Sequence, residues 1–331
     1  MIVGRDNMTK LKSHIVTADE AGIRLDRWFK RHFPALTHGA LQKLLRTGQV
    51  RVEGKRAQTS TRLEAGQNIR VPPQAAQTPP KEQEKQTARV SNQLKKLVLY
   101  EDDDVIAINK PPGLAVQGGT GLRENLDDML VGLARKGDKK PKLVHRLDRD
   151  TSGVLLLART SFAAAKLTEA FRHRDTQKIY WGVTVGVPKL SHGKISAPLV
   201  KQGELMKVAA SEDEEEEAKS ATTLYQVMEN AAKLAAFVAL WPVTGRTHQL
   251  RVHMTYIGTP LVGDPLYDGD KPSALPRDEI GKGLHLHARR LIMPHPRRGL
   301  IDVIAPLPPE MRQTWGWFGF DMNADADFSD A

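Results

Sequence analysis

The stretch His145-Arg146-Leu147-Asp148-Arg149-Asp150-Thr151-Ser152-Gly153 runs straight into Val154-Leu155-Leu156-Leu157-Ala158. Charged and polar residues give way, without a linker, to an apolar run of strand character. A carboxylate at such a strand entrance, flanked by Arg146 and Arg149, can be held ionised, because a nearby cation lowers an Asp pKa by roughly 1–3 units. By local composition alone the segment reads first as a surface salt-bridge cluster.

Further β-rich runs fall at residues 105–109, 179–185, 222–227, 234–240, 284–293 and 300–304, with helical patterns at 124–135, 163–174 and 247–257. Many strands with few helices predict an α+β fold on a mixed, mostly antiparallel sheet rather than a doubly wound α/β fold. No Gly-x-Gly-x-x-Gly or Walker-type loop is present, which argues against a nucleotide cofactor.

Residues 71–96 are rich in Pro, Gln, Ala and Lys and read as a linker. They divide the chain into an N-terminal extension (1–12), a small α+β head (13–72), the linker proper (73–96), a body (97–318) and an acidic tail (319–331). In the head, Leu25, Trp28 and Phe29 have helical spacing, a second helix runs from Thr37 as N-cap to a stop at Gly48, residues 50–55 form a strand turning at Glu53-Gly54, and a short strand covers 69–71. The formal net charge is +10, and residues 1–72 hold 14 Lys and Arg against 6 Asp and Glu. A positive field concentrated in so small a unit suits a polyanion, and Arg24, Arg27, Lys43, Arg46, Arg51, Lys55 and Arg56 are the expected RNA contacts. The acidic segments at 212–217 and in the tail read as solvated loop or disordered end.

With 40% hydrophobic residues the chain can build a core, and its longest apolar runs fall well short of the roughly 20 residues needed to span a bilayer. It has no cysteine, so disulfides, thiol nucleophiles and Cys-based zinc sites are excluded, which fits a cytoplasmic protein.

Three further segments carry chemistry. In Thr244-Gly245-Arg246-Thr247-His248-Gln249-Leu250-Arg251-Val252-His253, Thr247 is placed to cap a helix bearing His248 and Arg251 on one face, and an arginine so held can pin a carboxylate bidentately. Lys178-Ile179-Tyr180 opens a strand, and a tyrosine offers a nucleobase both a stacking face and a hydroxyl. Asn109-Lys110-Pro111-Pro112-Gly113 is a rigid turn of scaffold character. His285 and His287 read as packed or RNA-facing rather than as ligands. Arg24-Leu25-Asp26-Arg27 mimics the motif around Asp148, but Asp26 lies in a helical pattern with no strand following and reads as structural.

Together these segments, with Leu286-His287-Ala288, resemble the RluA-type pseudouridine synthases over residues 97–308, and the head resembles the S4 RNA-binding module that often precedes that domain. The resemblance implies that Asp148 is the essential aspartate, attacking the sugar or the base of the target nucleotide or removing a ribose proton. It implies that Arg251 salt-bridges Asp148, that Tyr180 stacks on the target uracil and takes its C5 proton, and that Arg146 fills the gap left by the flipped nucleotide. It implies no metal and no cofactor. The motif and Ala115-Val116-Gln117-Gly118-Gly119 lean towards the branch modifying large-subunit (23S) ribosomal RNA, free or in an assembly intermediate. With no coiled-coil pattern, a monomer is expected, and no membrane partner. Two other readings compete: a non-catalytic S4-type ribosome-assembly factor, and a metal-dependent phosphohydrolase using His285, His287 and Asp264.

Overall fold

The computed structural model describes residues 12–33, 36, 38–73, 92–118, 125–135, 137–172, 176–267, 275–276, 278–326 and 328. The chain forms two compact units, Met1–Gln86 and Thr87–Ala331.

In the first unit, strands β1 (Lys12–Ile15), β2 (Arg51–Val52) and β3 (Asn68–Val71) form an antiparallel sheet in the order β1-β3-β2, with helices α1 (Leu25–His32) and α2 (His38–Arg46) against it. The helical spacing of Leu25, Trp28 and Phe29 puts all three on one face of α1, where they pack with Leu41, Leu44 and Leu45 of α2 and with Val50, Val52, Ile69 and Val71. Glu53 and Gly54 both take positive φ (49° and 72°), as a tight primed turn requires. Thr37, the expected cap of α2, lies outside the described residues. Strand β1, Lys-Ser-His-Ile, escapes sequence reading because a single apolar residue makes no pattern.

Glu20 is buried in this unit. Its carboxylate accepts from Trp28 Nε1 (3.1 Å), the Thr17 amide (3.2 Å) and the His32 ring. Burial alone would raise its pKa, but these hydrogen bonds outweigh it and bring the group from 4.5 down to about 2. A depressed carboxylate pKa contributes stability that is complete above pH 4.5 and is lost as pH falls through about 2. Glu20→Gln is therefore expected to weaken the unit at neutral pH by about 1–3 kcal/mol and to abolish its loss of stability over that acid window. Hydrogen exchange of the α1 amides measures both, and an unchanged acid loss in the variant assigns the sensitivity elsewhere.

The second unit is built on a ten-stranded sheet. Its main path runs β4 (Val98–Glu101), β5 (Val105–Lys110), β7 (Ser152–Ala158), β14 (Leu286–Pro294), β8 (Gln177–Val185), β13 (Ala235–Pro242), β12 (Thr222–Ala231) and β9 (His192–Ser196), with β6 (Lys142–Leu143) on β7 and β15 (Leu300–Ile304) on β14. A separate hairpin joins β10 (Leu199–Gln202) to β11 (Leu205–Val208). Every strand pair is antiparallel except β7 with β14. The α+β class and the mixed, mostly antiparallel sheet read from the sequence are what the structure shows.

The helices are α3 (Leu126–Met129), α4 (Ser161–Ala170), α5 (Glu212–Glu217), α6 (Gln249–Tyr256) and α7 (Pro309–Phe318). One core gathers Trp181, Phe237, Trp315 and Phe320, with the Trp181 and Trp315 rings parallel at 6.0 Å. Another packs Leu250 and Met254 of α6 on Val238, Leu240 and Leu286.

Four expectations are corrected. The helix expected over 124–135 is a single α turn followed by 3₁₀ structure at Leu130–Leu133, where Gly132 weakens an α-helix. The acidic segment is α5 rather than a loop: Ser211 caps it by accepting from the Glu214 amide, and its carboxylates crowd the positive end of the helix. The tail is not free, since Phe320 and Ala326 are buried against the first of those cores. Thr247 does not cap α6; His248 does, in the left-handed region (φ 54°) and without a side-chain bond.

Candidate active site

The site starts from a row of residues across three strands. Gly153 of β7 faces Ala288 of β14, and Ala288 faces Tyr180 of β8. Gly153 has φ +110°, and a Cβ there would lie 2.2 Å from the Ala288 carbonyl oxygen. Only glycine allows that approach, so the last residue of the charged motif is explained by backbone contact. Next to it, Ser152 Oγ donates to His287 Nδ1 (2.8 Å), while His287 Nε2 donates to the Ala305 carbonyl (3.2 Å).

The loop ahead of β7 alternates. His145 Nε2 accepts from the Leu156 amide (2.8 Å) and its ring stacks on Phe171 at 4.3 Å. Burial, and then the Lys178 ammonium, push its pKa down to about 3, so it stays a neutral acceptor. Leu147 is buried with Ile106, Leu126 and Leu155. With residues 145 and 147 turned inward, Arg146 is exposed and Asp148 half-buried. Among the described residues Arg146 has no hydrogen-bond or ion-pair partner. Arg149 pairs with Asp150 (3.1 Å), not with Asp148. Lys110, the buried last residue of β5, donates to the carbonyls of Pro111, Leu114 and Arg149 at 2.8–2.9 Å. It thereby ties the residue after Asp148 to the Pro-Pro-Gly turn, although burial lowers its pKa to about 8.

Arg251, on α6, sits beside this loop. Its Nε and Nη2 donate to Asp264 at 2.7 and 2.6 Å, and its Nη1 lies 3.8 Å from Asp148 Oδ2. The expected ion pair of Arg251 with Asp148 is present, single and long, while the bidentate partner of the guanidinium is Asp264. Burial opposes the Arg251 charge, yet Asp264, and after it Asp148, hold its pKa above the ordinary value. The guanidinium lies 5.0 Å from the Tyr267 ring centroid. Tyr267 Oη accepts from the Met206 amide (3.0 Å) and donates to His248 Nδ1 (2.7 Å). Tyr180 packs between two apolar clusters. Burial, reinforced by the Asp148 charge, raises its pKa, so the phenol is held protonated.

The residues that suggested a metal are engaged otherwise. His285 donates from Nδ1 to the Gly283 carbonyl and accepts at Nε2 from Thr314, both rings of His285 and His287 are fully buried, and Asp264 is committed to Arg251. Sequence reading missed Asp264 and Tyr267 as neighbours of Arg251, because a loop separates them from α6.

In the first unit, Arg24 is spent on Asp26 (2.6 Å), and Arg51 donates to the carbonyls of Gly48 and Gly54. Arg27, Lys43, Arg46, Lys55 and Arg56 are exposed. Arg46 and Arg56 line a groove of about 530 Å³ with Gln42, Leu45, Ala57, Gln58 and Thr59.

Comparison with known proteins places this geometry. Residues 104–256 match the family described as RNA pseudouridylate synthase. The chain is 37% identical over 313 residues to ribosomal large subunit pseudouridine synthase C of Escherichia coli K12, covering 90% of this chain and 93% of that protein. It is 34% identical to the protein of the same name from Vibrio cholerae, covering 90% and 94%. Among solved structures, human RNA pseudouridylate synthase domain containing 4 superposes with a TM-score of 0.63 at 30% identity, over 71% of this chain and 98% of that one. The chain belongs to the RluA-type RNA pseudouridine synthases, enzymes that isomerise uridine in RNA.

Gly153→Ala should force β7 and β14 apart, costing about 3 kcal/mol in urea denaturation. A loss below 1 kcal/mol would show that the strands can separate freely.

Proposed function

We propose that this enzyme converts uridines of large-subunit (23S) ribosomal RNA, free or in an assembly intermediate, to pseudouridine, with Asp148 as the reacting carboxylate. The observation carrying this reading is Asp148 itself: half-buried, 3.8 Å from the Arg251 guanidinium and close enough to raise the Tyr180 pKa. The likeness to relatives named for large-subunit pseudouridine synthesis supports the substrate.

A uridine inside a helix must leave its stack, at a cost of a few kcal/mol. Arg146, exposed and unpaired, is suited to occupy the vacated space and restore part of that stacking. The flipped uracil lies against Tyr180. Asp148 opens the glycosidic bond by attack on the sugar or base, or by taking a ribose proton; the uracil turns and C5 joins C1′. N1 gains a proton and C5 loses one, so the product is an isomer and the step needs neither redox chemistry nor an external group. The raised pKa of Tyr180 favours stacking and hydrogen-bond donation as its part in the free enzyme.

The first unit acts as an S4-type docking head through Arg27, Lys43, Arg46, Lys55 and Arg56, whose free donors suit phosphates. We read the enzyme as a cytoplasmic monomer; among the described residues no helix is long and apolar enough to cross a membrane.

Wild type incubated with unmodified 23S RNA should form pseudouridine, mapped by sequence position, and Asp148→Asn should be slower by on the order of 10²–10⁴-fold. Equal rates would end this reading and leave an RNA-binding assembly factor. For the head, Arg46→Ala with Arg56→Ala should reduce the slope of log affinity against log salt by about 1.5–2; an unchanged slope removes both from the interface.

A further inference from the structure

His248 opens α6 in a conformation that no turn explains. Among the described residues three other than glycine take positive φ, and Glu53 and Ala232 lie in tight turns. His248, at φ 54°, instead heads a helix beside the reacting loop. A backbone held this way persists only where its surroundings fix it, and here the fixing group is Tyr267 Oη, which donates to Nδ1 at 2.7 Å. That bond decides the tautomer: with Nδ1 accepting, the proton of the neutral ring sits on Nε2. Among the described residues Nε2 has no hydrogen-bond partner, and it is not sealed from solvent. The half-buried ring therefore presents one uncommitted N–H.

The charges that reach this ring are those of the site. Burial has the largest effect on its pKa and lowers it; Asp148 opposes the shift, Arg251 adds to it, Asp264 opposes it and Arg146 adds to it. The imidazole is thus neutral at pH 7. A lysine or arginine here would pair with Asp148 and quench its charge, whereas a neutral N–H can serve a second anion beside it. Asp148, Arg251 and Asp264 together are net negative, so a phosphate arriving next to them needs a donor of its own. When a uridine swings out to Tyr180 and Arg146 enters the gap, the sugar and phosphate of that nucleotide span the distance between them. They pass the region where Asp148, Arg146 and His248 feel one another's charge. We propose that His248 is a substrate-contacting residue: its Nε2–H donates to a phosphate oxygen of the flipped uridine and holds the nucleotide once it has left the stack. This rests on Asp148 as the reacting carboxylate and Arg146 as the occupant of the gap.

The test compares full-length wild type, His248→Asn and His248→Gln on unmodified 23S RNA. Asparagine suits the left-handed backbone and can accept from Tyr267, but it has nothing at the Nε2 position. Glutamine is one bond longer and places an amide N–H near where Nε2 stood. His248→Asn should lower kcat about 10- to 100-fold, the scale of a hydrogen bond to a charged group. KM should change little, because the contact forms only after the nucleotide has left its stack. His248→Gln should recover part of that loss. If His248 served only to anchor Tyr267 and the start of α6, the order would reverse and His248→Asn would be the faster variant. That reversed order, a loss of less than about fivefold as for a neutral acceptor, or a loss confined to KM would each overturn the proposal. A second measurement does not depend on either variant folding. Diethyl pyrocarbonate acylates accessible neutral imidazole nitrogens, and its adduct on His248 of the Asp148→Asn enzyme, read by peptide mass spectrometry, should disappear when 23S RNA is bound. Labelling that RNA leaves unchanged overturns the proposal as well. An Asp148→Asn enzyme as fast as wild type would instead remove the functional reading, and this inference with it.

Discussion

Two backbones touch at Gly153 and Ala288, and that contact sets the loop carrying Asp148 beside the strand carrying Tyr180. The sheet is antiparallel elsewhere; here β7 and β14 run parallel for two residue pairs, Ser152 with His287 and Gly153 with Ala288. A side chain at 153 would collide with the Ala288 carbonyl. Because Ala288 also faces Tyr180, one small residue brings together the loop carrying Asp148 and the strand carrying Tyr180. His287 fastens the seam. Burial, first of all, lowers its pKa to about 4, so it stays neutral and accepts from Ser152 rather than repelling its surroundings.

Around that seam the charges are divided unequally. Asp148 and Asp264 share Arg251, so the trio carries a net negative charge where a polyanion must approach. Two cations offset it from different directions. Lys110 is buried and gives all three N–H groups to carbonyls, so its charge reaches Asp150 and Asp148 only through space. Arg146 is exposed and uncommitted. The buried lysine steadies the loop, and the exposed arginine keeps its donors open to solvent.

What could be read from the sequence was what is local. The apolar run after Asp148, the turn at Glu53-Gly54 and the helical face of Leu25, Trp28 and Phe29 each follow from spacing within a few residues, and the structure shows all of them. Strands β1, β9 and β10 carry too few apolar residues to declare themselves. Helix α7 did give signals, with Pro309 at its start and Gly319 in the left-handed region at its end. Charge density marked the head as basic but could not say which cations are free. Arg24 closes on Asp26, two residues away, and Arg51 on two turn carbonyls. Asp264 looked like a stray metal ligand because nothing local ties it to Arg251, 13 residues earlier.

Tyr180 is tied to Asp148 by charge as well as by place. Its phenol is held protonated first by burial in an apolar wall and then by the negative charge of Asp148. The first cause is permanent; the second lasts only while Asp148 is ionised. On the proposed chemistry Asp148 loses its charge as it bonds to the nucleotide or takes a proton. At that moment the electrostatic part of the Tyr180 shift disappears, and the phenol becomes a better acid than in the free enzyme. A proton held tightly before the glycosidic bond opens is thus held less tightly afterwards, when N1 must gain a proton and C5 must lose one. A tyrosine farther from the carboxylate would lack that dependence, and one with its own permanent cation would be ionised too early.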